Sequence, residues 1–183
     1  LGVGIAGGAF GTLAPVYGIR IGLDIATITY LMSAAIVVGA LAQLPIGRLS
    51  DTMDRRLVLV GVAFLAAFAG IMLLTFNPGG GWLLWLLFGL YGLSGQAIYP
   101  VAVAHANDFA KDGEYVLIAT GMMFFWSTGA ITGPLVASLL MQAFGPNVLF
   151  VFTSIVHMAL VVMTMWRMTV RPTVPRSKRS RFN

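Results

Sequence analysis

Six long apolar segments, separated by short polar or glycine-rich stretches, make up almost the whole chain. They cover residues 1–19, 27–46, 57–76, 82–105, 115–143 and 147–167. Each is close to the ~20 residues that an α-helix needs to cross a bilayer. The apolar runs are continuous, whereas the strands of a membrane β-barrel alternate between apolar and polar residues. The pattern therefore predicts an all-α membrane protein with six transmembrane helices, whose backbones satisfy their own hydrogen bonds in lipid.

Composition supports this class. Hydrophobic residues make up 58% of the 183 residues and charged residues only 9%, against about 25% charged residues in soluble domains. The net charge of +5 lies in the polar stretches and the C-terminal tail. Positive charge beside membrane helices is typical of membrane topology, so we predict contact with membrane lipid and no binding of nucleic acid.

The ten residues from Gly47 to Arg56 carry the densest charge before the tail, with three arginines and two aspartates. Between two apolar segments they predict a short, tight turn, and their arginines place it in the cytoplasm. The loop 105–114 and the tail then lie on the same side, together with ten of the eleven lysines and arginines; only Arg20 lies opposite. Both termini are therefore predicted to be cytoplasmic. Residues 1–167 form the predicted bundle, and residues 168–183 form a basic tail without periodicity, predicted to be disordered.

Glycines recur four residues apart in two of the segments. The pairs are Gly4 and Gly8, Gly7 and Gly11, and Gly129 and Gly133. This spacing lets a second helix approach closely in a membrane. We expect close helix packing at all three pairs.

The interior has little ionisable chemistry. All six acidic residues fall in predicted loops, and His157 alone lies at membrane depth, where such groups usually mark ion paths. We interpret His157 as a hydrogen-bonded structural residue in a helix on the outside of the bundle. His105 and Asp108 are too few for a metal site. No catalytic residues, metal or cofactor are predicted, and the protein is not expected to be an enzyme.

The charged turn reads Gly47-x-Leu49-Ser50-Asp51-x-x-x-Arg55-Arg56-x-x-Leu59. It resembles the loop signature of the major facilitator superfamily, found between the second and third helices of each six-helix half. Thr52 and Asp54 depart from that signature, as is more usual in the C-terminal half. The resemblance implies a cytoplasmic latch formed by Gly47, Asp51, Arg55 and Arg56, in which the aspartate accepts hydrogen bonds at a neighbouring helix N-terminus. The alternative is a loop that only orients the protein.

A second stretch, Tyr99-Pro100-x-x-x-Ala104-His105-Ala106-Asn107-Asp108, resembles the end of the tenth helix in a YcaD-like branch of this family. The Gly129–Pro134 segment is similar to the bend in the fifth helix of a half. These resemblances imply helices seven to twelve of a twelve-helix bundle, with helices one to six as the alternative.

The resemblance further implies a secondary active transporter, or half of one, that moves a small solute by alternating access across the bacterial cytoplasmic (inner) membrane. The first and fourth helices of each half line its cavity. The candidate substrate contacts are Tyr91, Gln96 and Tyr99, followed by Gln43 and Trp126. For the tyrosines, helix packing is the alternative role.

Another function remains open: a non-transporting, facilitator-like subunit or assembly factor of a larger membrane complex. In either case polar groups on the first and fourth helices need cover. The expected partner is a second six-helix half, a second copy of the chain, or a larger complex. The sequence does not name the small-molecule substrate.

Overall fold

The computed structural model describes residues 1–76, 79–111 and 113–170. In this part of the chain it consists of six α-helices and contains no strand. They are α1 (Gly2–Arg20), α2 (Ile25–Thr52), α3 (Arg55–Phe76), α4 (Trp82–Asn107), α5 (Tyr115–Phe144) and α6 (Val148–Val170). All six are long and apolar enough to cross a membrane, which confirms the predicted fold class. Residues 168–170 of the predicted tail belong to α6; residues 171–183 lie outside the described residues.

Three predicted spans end more than one residue before their helices do, and for α6 the helix continues from residue 167 to Val170. The helix α2 does not end at Ile46 but continues through Thr52, so only Met53 and Asp54 separate it from α3. Likewise α4 continues to Asn107. The apolar pattern indicates which residues lie in lipid. A helix can extend beyond them into water, as long as its backbone hydrogen bonds continue. Asp51 therefore lies in the last turn of a helix and not in a loop.

The helices pack as interlocking pairs. The helix α1 packs mainly on α5, α2 on α4 and α3 on α6, and α3 also contacts α4. Fully buried side chains between these pairs form the core and include Tyr17, Leu73, Leu84, Leu149 and Phe150. Ser154 donates a hydrogen bond to the Ala67 carbonyl oxygen at 3.1 Å, which links α6 to α3.

Glycine makes the α1–α5 contact possible. A Cβ atom added to Gly8 would lie 2.7 Å from the Cα atom of Ala130, and one on Gly4 would meet the Trp126 carbonyl oxygen. On the other helix, Cβ atoms on Gly129 and Gly133 would meet the backbone of residues 1–5. The predicted close packing is confirmed for these two pairs. We call this contact the α1–α5 seam.

The α2–α4 contact is built in the same way. A Cβ atom on Gly39 would lie 2.6 Å from the Gly92 carbonyl oxygen, and one on Gly92 would lie 2.8 Å from the Cα atom of Ala35. We call this the α2–α4 seam. The two seams hold their helices together in pairs and flank the space described below.

The bundle end near Arg20 is closed by polar contacts. The Arg20 guanidinium donates to the Met141 carbonyl oxygen at 2.9 Å, joining the last turns of α1 and α5. Asp24 caps α2 by accepting hydrogen bonds from the Thr27 amide at 2.9 Å and the Thr27 hydroxyl at 2.6 Å. These hydrogen bonds lower the pKa of Asp24, because they favour its charged form.

Candidate functional site

A cavity of about 470 Å³ lies between the two seams, with walls from α1, α2, α4 and α5. This volume falls within the range of small-molecule sites, roughly 300–1,000 Å³. The structure brings all five predicted substrate contacts to its lining: Gln43, Tyr91, Gln96, Tyr99 and Trp126. Their contact with a substrate stays a prediction.

Two glycines, which carry no side chain, leave open space along one wall of this cavity. Gly7 and Gly11 lie one turn apart on α1, both line the cavity, and no atom lies within 4 Å of a Cβ added to either. Within the described part of the chain no helix packs closely against this pair, so close packing there stays a prediction. The sequence contained part of the signal for this role, because the two glycine pairs point in different directions around an α-helix. The structure then shows that α5 covers only one of the two pairs.

Aromatic rings form another part of the lining. The Tyr99 and Trp126 rings lie 6.0 Å apart between centroids, and Phe10 stacks on Tyr91 at 4.2 Å. Tyr91 is only 2% exposed and its hydroxyl oxygen is buried. It therefore offers the cavity mainly its ring, whereas Gln43, Gln96 and Tyr99 are partly exposed and Trp126 is exposed.

The polar groups gather toward one end of the cavity. On α4, Gln96 and Tyr99 come five and eight residues after Tyr91, which is about 8 and 12 Å along a helix. On α2, Gln43 comes eleven residues after Met32, or about 16 Å. The two helices run in the same direction. Arg55 shows this, since it pairs with Asp51 at the C-terminal end of α2 and with Asp108 at the C-terminal end of α4. The polar end thus faces this charged end of the bundle, and the opposite end is apolar.

Arg55 is the centre of that charged end. Its side chain is only 1% exposed; Nε lies 3.0 Å from Asp108 Oδ2 and Nη2 lies 3.1 Å from Asp51 Oδ1. Asp51 lies in the last turn of α2, Arg55 begins α3, and Asp108 directly follows α4. One guanidinium therefore binds three helix ends together. Sequence reasoning missed Asp108 as a partner, since it lies more than fifty residues from Arg55.

The other predicted latch residues have more local contacts. Arg56 pairs with Asp54 at 3.2 Å, and Asp54 Oδ1 accepts a hydrogen bond from the Arg56 amide at 3.0 Å, at the first turn of α3. Asp54, and not Asp51, thus occupies the helix N-terminus, which is the favourable position for a carboxylate. Gly47 is buried within α2, and its carbonyl oxygen accepts a hydrogen bond from Ser50 at 2.7 Å.

His157 lies behind the cavity wall. Its Nδ1 donates a hydrogen bond to the Thr153 carbonyl oxygen at 2.8 Å, since a carbonyl can only accept. The ring is 2% exposed and contacts Tyr91 edge-on, with centroids 5.7 Å apart. The hydrogen bond is as expected, and the side chain faces the interior from a helix whose other side is exposed at Ile155 and Val162. Over the described ranges, no group of three or more His, Cys, Asp or Glu side chains could hold a metal ion.

Comparison with known proteins agrees with this geometry. The sequence model of the Major Facilitator Superfamily matches residues 1–183. The chain is 30% identical over 162 residues to the uncharacterized MFS-type transporter YE1530 of Yersinia enterocolitica. The aligned residues make up 88% of this chain and 41% of the relative. It is also 30% identical over 160 residues to the uncharacterized MFS-type transporter YcaD of Salmonella paratyphi B, covering 87% and 41%.

A solved structure has the same fold. It is the crystal structure of an auto-inhibited POT family peptide transporter, with a TM-score of 0.76 and 14% identity, covering 95% of this chain and 37% of that one. The chain thus spans about two fifths of the length of the curated relatives it matches. The helical fold, the loop signature and the match along the whole sequence lead to one conclusion: this chain belongs to the Major Facilitator Superfamily.

Proposed function

We propose that this chain is one six-helix half of a secondary active transporter, which moves a small solute by alternating access through the cavity between the two seams. The cavity of about 470 Å³ carries this proposal. In such transporters the solute site lies between two repeats that rock against each other as rigid bodies, so an open cavity on one face of this six-helix unit supports its place as one side of such a site. Exposure of Gly7, Gly11 and Trp126 in this chain is consistent with a second half that faces them across the cavity without filling it.

Its expected place is the C-terminal half, helices seven to twelve, in the bacterial inner membrane with both termini in the cytoplasm. The charge distribution supports this orientation, because Arg48, Arg55 and Arg56 lie at one end of the bundle and Arg20 at the other. Cysteines at Thr52 and Gly79 should then react with a membrane-impermeant maleimide from opposite sides of sealed vesicles. Reaction from the same side would exclude this topology.

The transport mechanism has a direct test that does not need the substrate. The full-length protein is prepared without other reactive cysteines, and Gly95, which lines the cavity, is replaced by cysteine. The nearest atom to a Cβ at this position is 3.7 Å away, so the side chain fits. Alternating access predicts that a small hydrophilic methanethiosulfonate reagent labels this cysteine from either side of sealed vesicles.

The matched control is Gly61→Cys. Gly61 is exposed on α3 away from the cavity, with no atom within 4 Å of an added Cβ. In lipid it should react poorly with a hydrophilic reagent. Labelling of Gly95→Cys from one side only, under all conditions, would instead favour the non-transporting subunit.

The Arg55 centre is the proposed latch. The Arg55 guanidinium and the carboxylates of Asp51 and Asp108 join the ends of α2, α3 and α4. One of these helix ends can move away from the others only if an ion pair breaks. Asp51→Asn removes one charge and keeps the size of the side chain. Because the latched conformation loses an ion pair, we expect the ratio of labelling of Gly95→Cys from the two sides to change in this variant; an unchanged ratio would reduce the turn to an orientation signal.

A further inference from the structure

We propose that the solute is an uncharged amphipathic molecule, with a hydrogen-bonding group at the end of the cavity near Gln43 and Gln96 and an apolar body against Gly7 and Gly11. The proposal rests on the proposed function, because it assumes that this cavity holds the transported solute. It adds the chemical class of that solute and the residues that set its size.

The cavity lining offers a charged solute no opposite charge on this half. Among its described residues there is no Asp, Glu, Lys, Arg or His. The nearby charges of Asp51, Arg55 and Asp108 are committed to one another at the bundle end. A charge moved from water into such surroundings loses its hydration without gaining an opposite charge, which is unfavourable.

The polar end fits a neutral group that both donates and accepts hydrogen bonds. An amide side chain offers a carbonyl acceptor and two N–H donors, and a phenol hydroxyl offers both functions. Gln43, Gln96 and Tyr99 carry these groups and line the cavity. In the described part of the chain neither glutamine amide has a hydrogen-bond partner. An amide or hydroxyl on the solute would supply one.

The rest of the lining fits an apolar body. Phe10, Met32 and Ile36 extend the cavity away from the glutamines. Gly7 and Gly11 leave open space where any other residue would place a side chain. The two glycines are therefore specificity-determining positions, because a methyl or larger group there would occupy the volume of the solute body.

The test uses three compounds with one body and three head groups: 4-phenylbutanamide, 4-phenylbutyrate and 4-phenylbutylamine, which are neutral, anionic and cationic at pH 7. Binding is measured by calorimetry with the full-length protein in lipid nanodiscs, and the signal of empty nanodiscs is subtracted. We expect the amide to bind at least about tenfold more tightly than either charged compound. Equal or tighter binding of a charged compound, or no binding of the amide, would overturn the proposal.

Variants locate the binding in this cavity. Gly11→Leu fills the open wall and should abolish amide binding, whereas Gly61→Leu, on the exposed face of α3, should leave it unchanged. Gln96→Glu introduces a charge at the polar end and should shift preference to the amine. Amide binding that survives Gly11→Leu would also overturn the proposal.

The two proposals fail in different ways. If Gly95→Cys is labelled from both sides but the charged compounds bind better, the solute class is wrong and transport stands. If the amide binds as expected but labelling occurs from one side only, transport is wrong and the cavity is a fixed site for a neutral amphiphile.

Discussion

Two pairs of glycines on α1 have the same spacing and opposite surroundings. Gly4 and Gly8 contact the backbone of α5 so closely that a Cβ atom on Gly8 would lie 2.7 Å from the Ala130 Cα atom; Gly7 and Gly11 have no atom within 4 Å of that position. One pair allows two helices to touch, and the other leaves space for a cavity. The comparison teaches that glycines four residues apart leave room beside a helix. Whether another helix fills that room or a cavity remains there depends on which helix lies next to it.

Replacement of Gly8 by leucine should have the largest effect. The new side chain would collide with the α5 backbone, which cannot move aside as a flexible side chain can. We expect loss of the folded, monodisperse species in size-exclusion chromatography in mild detergent. Gly7→Leu is the matched control at the neighbouring position and should remain folded. Equal behaviour of the two variants would show that the α1–α5 seam is not tightly packed.

The next effect concerns the charged end of the α2–α4 seam. Asp108→Ala leaves the buried Arg55 with Asp51 as its remaining ion-pair partner in the described network. Because Asp108 is the more buried of the two partners, with 1% of its side chain exposed, its loss leaves the buried Arg55 charge poorly compensated, and we expect destabilisation of about 3 kcal/mol, measured by thermal unfolding in detergent. Asp51, whose side chain is 22% exposed, is the control, and Asp51→Ala should cost clearly less. The reverse order would show that glycine packing alone holds these helix ends.

Filling the open wall should change access and leave stability almost unaltered. Gly11→Leu combined with Gly95→Cys should slow labelling of the cysteine by a hydrophilic reagent about tenfold or more, since the leucine occupies the cavity. The unfolding temperature should stay within about 2 °C, because no neighbour is displaced and surface changes usually cost under about 0.5 kcal/mol. Fast labelling would mean that the reagent reaches Gly95 by another route.

The smallest effect is expected for alanine at the open positions. Gly7→Ala and Gly11→Ala each add one methyl group to empty space and replace the poorest non-proline helix former, which favours the folded helix by up to about 1 kcal/mol. The unfolding temperature should therefore be equal or slightly higher. Gly8→Ala is the contrasting variant and should be destabilised. A loss of stability at Gly7 would indicate that a partner packs against this wall.

The sequence by itself determined the class, the number of helices and the family. Continuous apolar runs of membrane length leave no other structure for the backbone in lipid, so α1 to α6 were predictable, as was the charged turn after α2. Through the resemblance it also selected Tyr91, Gln96 and Tyr99, because the fourth helix is a cavity helix of this family; Gln43 and Trp126 lie on helices that the resemblance did not assign to the cavity. The structure places all five in one lining.

Only the tertiary structure decided which glycines touch, which acid pairs with Arg55, and how far the helices continue beyond the apolar pattern. Gly8 and Gly11 look alike in sequence, and Asp108 is separated from Arg55 by two helices. The physical reason is the same in each case. Hydropathy records the preference of each residue for lipid or water, whereas packing and ion pairing depend on distances between helices that are far apart along the chain.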